Sequence, residues 1–228
     1  TIPSAELHCK GKKYIRDGLW HIVANGLPLD FQCADEEETA PHLVHRAIEA
    51  GAFVTIAHPE WYTLTFDECL SVSHAHGVEI YNHSCHLEAQ RGFGTATADY
   101  LLQENNKIFL TATDDSHFRM QDFGGGWVMV AADNLSEISI LNALKNGQYY
   151  STTGIEIFEF EMNNRKVNIQ CSPSNQVCIV GQGAKSMSQN EKNITNAEFD
   201  LTDYPSEWFR VSIADDSGNF AWTNPVWL

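Results

Sequence analysis

Apolar residues along this chain fall into short runs, each closed by a polar cluster. Residues 53–57 (Phe53-Val54-Thr55-Ile56-Ala57) form one run and end on His58, with Pro59 stopping the strand. Residues 77–81 form another and lead into Asn82-His83-Ser84-Cys85-His86. Residues 107–110 form a third, followed by Thr111-Ala112-Thr113-Asp114-Asp115-Ser116-His117-Phe118, where two carboxylates and an imidazole arrive within four positions. Between these runs, residues 40–50, 65–75 and 97–103 read as helices, the first two stopped by Gly51 and Gly77. Upstream, residues 4–7 precede a polar loop over 10–17 and an apolar stretch over 18–27. That stretch reads as a hairpin-like pair or as two strands of a barrel, with Glu6 and His21 at comparable places.

Alternating strand and helix, with ligand-type residues at strand carboxyl ends, predicts a parallel α/β barrel or doubly wound sheet with its active site at those ends. After Gly154 the pattern changes to alternation of apolar and polar residues. Residues 155–162, 166–171, 176–180, 198–201 and 208–214 read as strands, separated by turn clusters at 163–164, 172–175 and 215–218 and by a polar loop over 182–196. They predict a small antiparallel β-sandwich. The expected organisation is a β/α domain over 1–154 and an all-β domain over 155–228.

Composition narrows the partners. A net charge of -16 disfavours a nucleic-acid backbone or an anionic membrane. No apolar run reaches membrane-spanning length, and Thr1-Ile2-Pro3-Ser4 does not read as a signal peptide. Six cysteines without CxxC pairs predict free thiols and a cytoplasmic location, with a Cys171–Cys178 bridge across a hairpin as the alternative. All ten histidines lie between His8 and His117, which places metal or acid–base chemistry in the first half of the chain.

The candidate ligands have ordinary readings as well. Asp115 and His117, two apart after a strand, can aim a carboxylate and an imidazole at one divalent metal, or can belong to a polar turn. Glu6 alone is a solvated carboxylate and His21 alone a core histidine. His83 and Cys85 either reach inward or are a surface histidine and a core thiol. His42 and His45 share a helix face. Arg91 and Arg119 are candidates to meet charge on a phosphoryl group, or surface residues. Trp222 and Trp227 read as packing residues, and Asn193-Ile194-Thr195 as a chance glycosylation pattern.

Taken in order, Pro3-x-x-Glu6, His21, Ala57-His58-Pro59, Glu79-Ile80-Tyr81-Asn82 and Asp115-x-His117 resemble the PHP (polymerase and histidinol phosphatase) family of metal-dependent phosphoesterases over residues 1–154. The later Gly124-Gly125-Gly126-Trp127 run and Gly147-Gln148-Tyr149-Tyr150 resemble a subgroup of it. The resemblance implies an incomplete, distorted parallel β/α barrel and one to three divalent ions (Mn, Zn or Fe). Glu6 would bridge metals, His21 and His58 would be ligands, His83 a further polar neighbour, and Asp115 and His117 would complete the site. The substrate would be a phosphomonoester, small nucleotide or phosphodiester, attacked by metal-activated water with Arg91 assisting.

The family's opening His-x-His has no counterpart, because only five residues precede Glu6. The chain is therefore expected to be the downstream part of a longer protein, with an exposed sheet edge for a second copy or a swapped segment to cover. A catalytically incomplete binding or assembly module is the alternative reading. A carbon–nitrogen hydrolase resting on the same ligand chemistry is a weaker third.

Overall fold

A computed structural model describes residues 1–10, 19–104 and 107–228. The polar loop expected over 10–17 lies almost wholly outside the described residues. The first sheet has the order β1 (Ser4–Lys10), β2 (Leu19–Asn25), β3 (Phe53–Ile56), β4 (Gly77–Asn82), β5 (Phe109–Thr113). β2 runs antiparallel to both of its neighbours, β1 and β3, whereas β3, β4 and β5 are parallel.

Every residue of β3 and β4 is buried, as expected of a parallel core covered on both faces. α1 (Ala40–Glu49) follows Thr39, carries Pro41 in its first turn, where no intrahelical N–H is needed, and buries Ala40, Leu43, Val44 and Ala47. α2 (Phe66–Ser71) opens on a reciprocal cap: Thr65 Oγ1 accepts from the Glu68 N–H and the Glu68 carboxylate accepts from the Thr65 N–H. α3 (His83–Ala89) and α4 (Thr95–Gln103) complete the crossover from β4 to β5.

The second sheet contains β6 (Trp127–Val130), β7 (Tyr149–Thr152), β8 (Ile157–Asn163), β9 (Lys166–Gly181), β10 (Ser186–Asp200), β11 (Trp208–Ala214), β12 (Phe220–Thr223) and β13 (Val226–Trp227). Its path is β10-β9-β11-β12-β7-β6, with β8 beside β9 and β13 beside β11, and every pairing is antiparallel. α5 (Glu137–Lys145) joins β6 to β7.

This architecture corrects the expected parallel β/α barrel. The chain is mostly strand, 40% against 19% helix, and its first sheet is open and mixed. The strand–helix alternation over 40–113 was read correctly in kind, but it supports only three parallel strands. A barrel would continue by pairing a further parallel strand onto β5. Instead Leu110 N–H donates to Asn224 Oδ1 (2.8 Å) and Leu110 C=O accepts from Ser151 Oγ (2.8 Å), so side chains of the second sheet satisfy that edge. Two strands that precede Gly154, β6 and β7, belong to this second sheet.

Two local expectations also change. The turn expected at 172–175 and residues 186–196 of the loop expected at 182–196 form strand, with only 182–185 left as a turn, because β9 runs through Pro173 and pairs with β10 over most of its length. Pro173, which has no N–H to donate, falls where the β9–β10 register slips. Cys171 and Cys178 lie on this one strand and are free thiols, so they do not face each other across a hairpin. Among the described residues no helix is long and apolar enough to cross a membrane.

Candidate metal centre

The β1–β2 register decides which polar groups of the hairpin meet. Glu6 lies opposite Val23 and His8 opposite His21, so Glu6, His8 and His21 share a face while Leu7, Cys9, Trp20 and Ile22 are buried. Ile22 pairs with Ile56 of β3, which brings the carboxyl end of β3 alongside His21. There His58 takes φ 23°, a left-handed conformation unusual for a residue with a side chain.

Three ligand atoms converge at that point. Glu6 Oε1 is 2.7 Å from His21 Nδ1 and 3.2 Å from His58 Nε2, and the two nitrogens are 3.2 Å apart. Two donors about 2.1 Å from one ion would stand about 3.0 Å apart at a right angle and about 3.4 Å apart at the tetrahedral angle. The triangle therefore fits three positions around one divalent ion, and a carboxylate with two imidazoles suits Zn, Mn or Fe. Glu6, His21 and His58 form a group that could hold a metal ion.

The charges agree with this arrangement. Partial burial pushes the Glu6 carboxyl up, but hydrogen bonds and charge from His21 and His58 outweigh it and hold the group far below the usual carboxylate range. His58 is deeply buried, which opposes its charged form. Glu6, Glu79 and Asp115 overcome that penalty and raise it. Its Nδ1 is buried with no partner among the described residues, so Nε2 is its engaged atom.

Glu79, in the buried strand β4, supports His58 from behind. Its Oε2 accepts from the His58 backbone N–H (2.6 Å) and from Asn82 Nδ2 (3.0 Å), and burial pushes its carboxyl up to about 7. Asn82 Nδ2 also reaches Asp115 Oδ2 at 3.1 Å. Asp115, at φ 51°, is thereby tied to the same network after β5. Tyr62 completes the surround: its hydroxyl is 3.0 Å from His21 Nε2.

The remaining sequence candidates lie elsewhere. Asp114 accepts from the backbone N–H groups of Gly124, Gly125 and Gly126 (2.6, 2.8 and 2.8 Å), which fixes the glycine loop. His117 is exposed, and its backbone N–H donates to Asp122, which also accepts from Ser116 Oγ and the Phe118 N–H. Arg91 donates to the Trp61 carbonyl at 3.3 Å. His83 Nδ1 is 3.0 Å from the Tyr81 hydroxyl, beside the glycine loop. His42 and His45 pair with Glu38 and Glu49 on α1.

Sequence reasoning missed Tyr62 and named Glu79 and Asn82 only as motif residues, with no role in the site. A carboxylate inside the apolar run 77–81 was the available signal for Glu79, while Tyr62 in its loop offered none. No family model, curated protein or solved structure matches this chain.

Proposed function

We propose that this chain is a metal-dependent phosphoesterase that hydrolyses a small phosphomonoester or nucleotide. The observation that carries the reading is the convergence of Glu6 Oε1, His21 Nδ1 and His58 Nε2 at 2.7–3.2 Å, with the Asp115 carboxylate tied into the same network. The order of motifs resembling PHP enzymes favours a phosphoester over an amide as the bond cleaved.

When bound, a divalent ion would supply Lewis acidity toward a phosphoryl oxygen and a water acidic enough to attack near neutral pH. The chain's own groups do the rest. Glu6, His21 and His58 would hold the ion. Tyr62 fixes the His21 ring, and Glu79 fixes the His58 backbone. Asp115 takes the proton from the attacking water. The new P–O bond forms to that water, the bond to the leaving oxygen breaks, and that oxygen takes up the proton held by Asp115, giving phosphate and an alcohol.

The test is hydrolysis of p-nitrophenyl phosphate and of a p-nitroanilide by the purified chain with Mn or Zn added. Phosphate release that disappears in His58→Ala is expected. Turnover of the anilide alone, or phosphate release unchanged in His58→Ala, would overturn the reading.

A further inference from the structure

A cavity of about 510 Å³ lies where the two sheets meet, between α3, the 121–125 loop and the start of β12. That volume is within the range of roughly 300–1,000 Å³ common to small-molecule sites. Its walls are aromatic and come from both sheets. Phe93 is 5.1 Å from Tyr81, 5.4 Å from Phe220 and 5.5 Å from the His86 ring, centroid to centroid.

Its polar groups are imidazoles, amides and hydroxyls. His83 is held in place by the Tyr81 hydroxyl, and a methyl group on Gly125 would lie 2.3 Å from its ring, so only glycine leaves it room. His86 Nδ1 is buried and has no partner among the described residues. Gln121 brings a side-chain amide, Thr153 a hydroxyl, and Asn219 an amide whose Nδ2 donates to Asp215 at 2.8 Å. None of the described lining residues is Asp, Glu, Lys or Arg, in a chain with 30 acidic side chains.

These features restrict the occupant. An anion would be desolvated there with no Lys or Arg among the described lining residues to meet it, which is costly. Aromatic walls take a flat ring by stacking or edge contact. Imidazole and amide groups offer donors and acceptors to a polar ring edge. We propose that this cavity binds a neutral, flat heteroaromatic molecule of the nucleobase class. Stacking on aromatic side chains and hydrogen bonding at the ring edge are how proteins hold such bases. The cavity lining includes none of Glu6, His21 and His58, and the proposal goes beyond the proposed hydrolysis.

The test is isothermal titration of the folded chain with adenosine, guanosine, cytidine and uridine, with ribose and benzoate as controls. At least one nucleoside is expected to bind once per chain, and neither control is expected to bind. His86→Leu and Gly125→Val should each weaken that binding about tenfold or more with the circular dichroism unchanged. Glu6→Gln, which disables only the metal centre, should bind like the parent. Absence of binding by all four nucleosides, equal binding by both cavity variants, or preference for benzoate would overturn the proposal. Loss in Glu6→Gln with retention in His86→Leu would also overturn it, because it would move the site to the metal centre.

Discussion

The hydrogen bond between Tyr62 and His21 Nε2 has a direction that depends on what the other ring nitrogen holds. If His21 Nδ1 gives its lone pair to a metal, Nε2 carries the proton and donates to the Tyr62 oxygen. If Nδ1–H donates to Glu6 instead, the Tyr62 hydroxyl donates to Nε2. Outer partners of this kind fix ring orientation and tautomer, and their loss commonly costs ten- to a hundredfold in metal affinity. Tyr62→Phe should therefore weaken Zn or Mn binding by about that factor in a competition titration, with secondary structure unchanged. Unaltered affinity would remove Tyr62 from the metal's support. Glu6, His21, His58 and Asp115 were legible as candidates because each is a ligand-type residue at or near a strand. His117 was not separable from them by spacing alone: after Asp115 turns at φ 51°, the next residues follow Asp122 outward.

Among the elements, α1 shows how a helix start is anchored to its own flank. Arg46 Nε and Nη2 donate to the two Glu38 oxygens at 2.9 and 2.8 Å, and His42 Nδ1 is 2.9 Å from the same carboxylate. The Arg46 hydrogen bonds, outweighing burial, hold the Glu38 carboxyl below its ordinary value of 4.5. A depressed folded pKa means that the stabilisation is fully present above 4.5 and is lost as pH falls through the lower folded value. Glu38→Gln should cost about 2 kcal/mol in urea unfolding at pH 7, with the difference from the parent shrinking as the pH drops below 4.5. A difference that stays constant into acid would show that the pair does not stabilise through charge. Helices of this sort were readable as segments between the apolar runs, stopped by a glycine. The long β9–β10 ribbon was not, since Pro173 and the polar residues 186–196 suit an edge strand as well as a loop. What decides between them is pairing with distant strands.

At the scale of the molecule, the two sheets are joined by buried polar contacts as well as by Trp208 and Trp222, which sit in the first sheet's core. Arg210 on β11 is 4% exposed and grips Asp99 on α4 through two 2.8 Å hydrogen bonds. Removing the carboxylate strands a buried guanidinium. Asp99→Ala should lose about 3–5 kcal/mol in urea unfolding, and a loss below about 1 kcal/mol would show that the sheets do not depend on this pair. The β character beyond residue 154 was legible from the change of period, whereas the second sheet itself already begins with β6 and β7, before that point. The capping of β5 by Ser151 and Asn224 was not, because nothing local marks a serine or an asparagine as the partner of a strand 41 or 114 residues away. That cap explains why a barrel-like alternation ends as an open sheet.

The central claim is that Glu6, His21 and His58 hold a divalent ion. Plasma mass spectrometry of the chain after equilibrium dialysis against Mn or Zn, beside Glu6→Gln and His58→Ala, tests it most directly. About one ion per chain or more, lost in both variants, is the result the account predicts. A parent chain that binds no metal, or variants that bind as much as the parent, would contradict it.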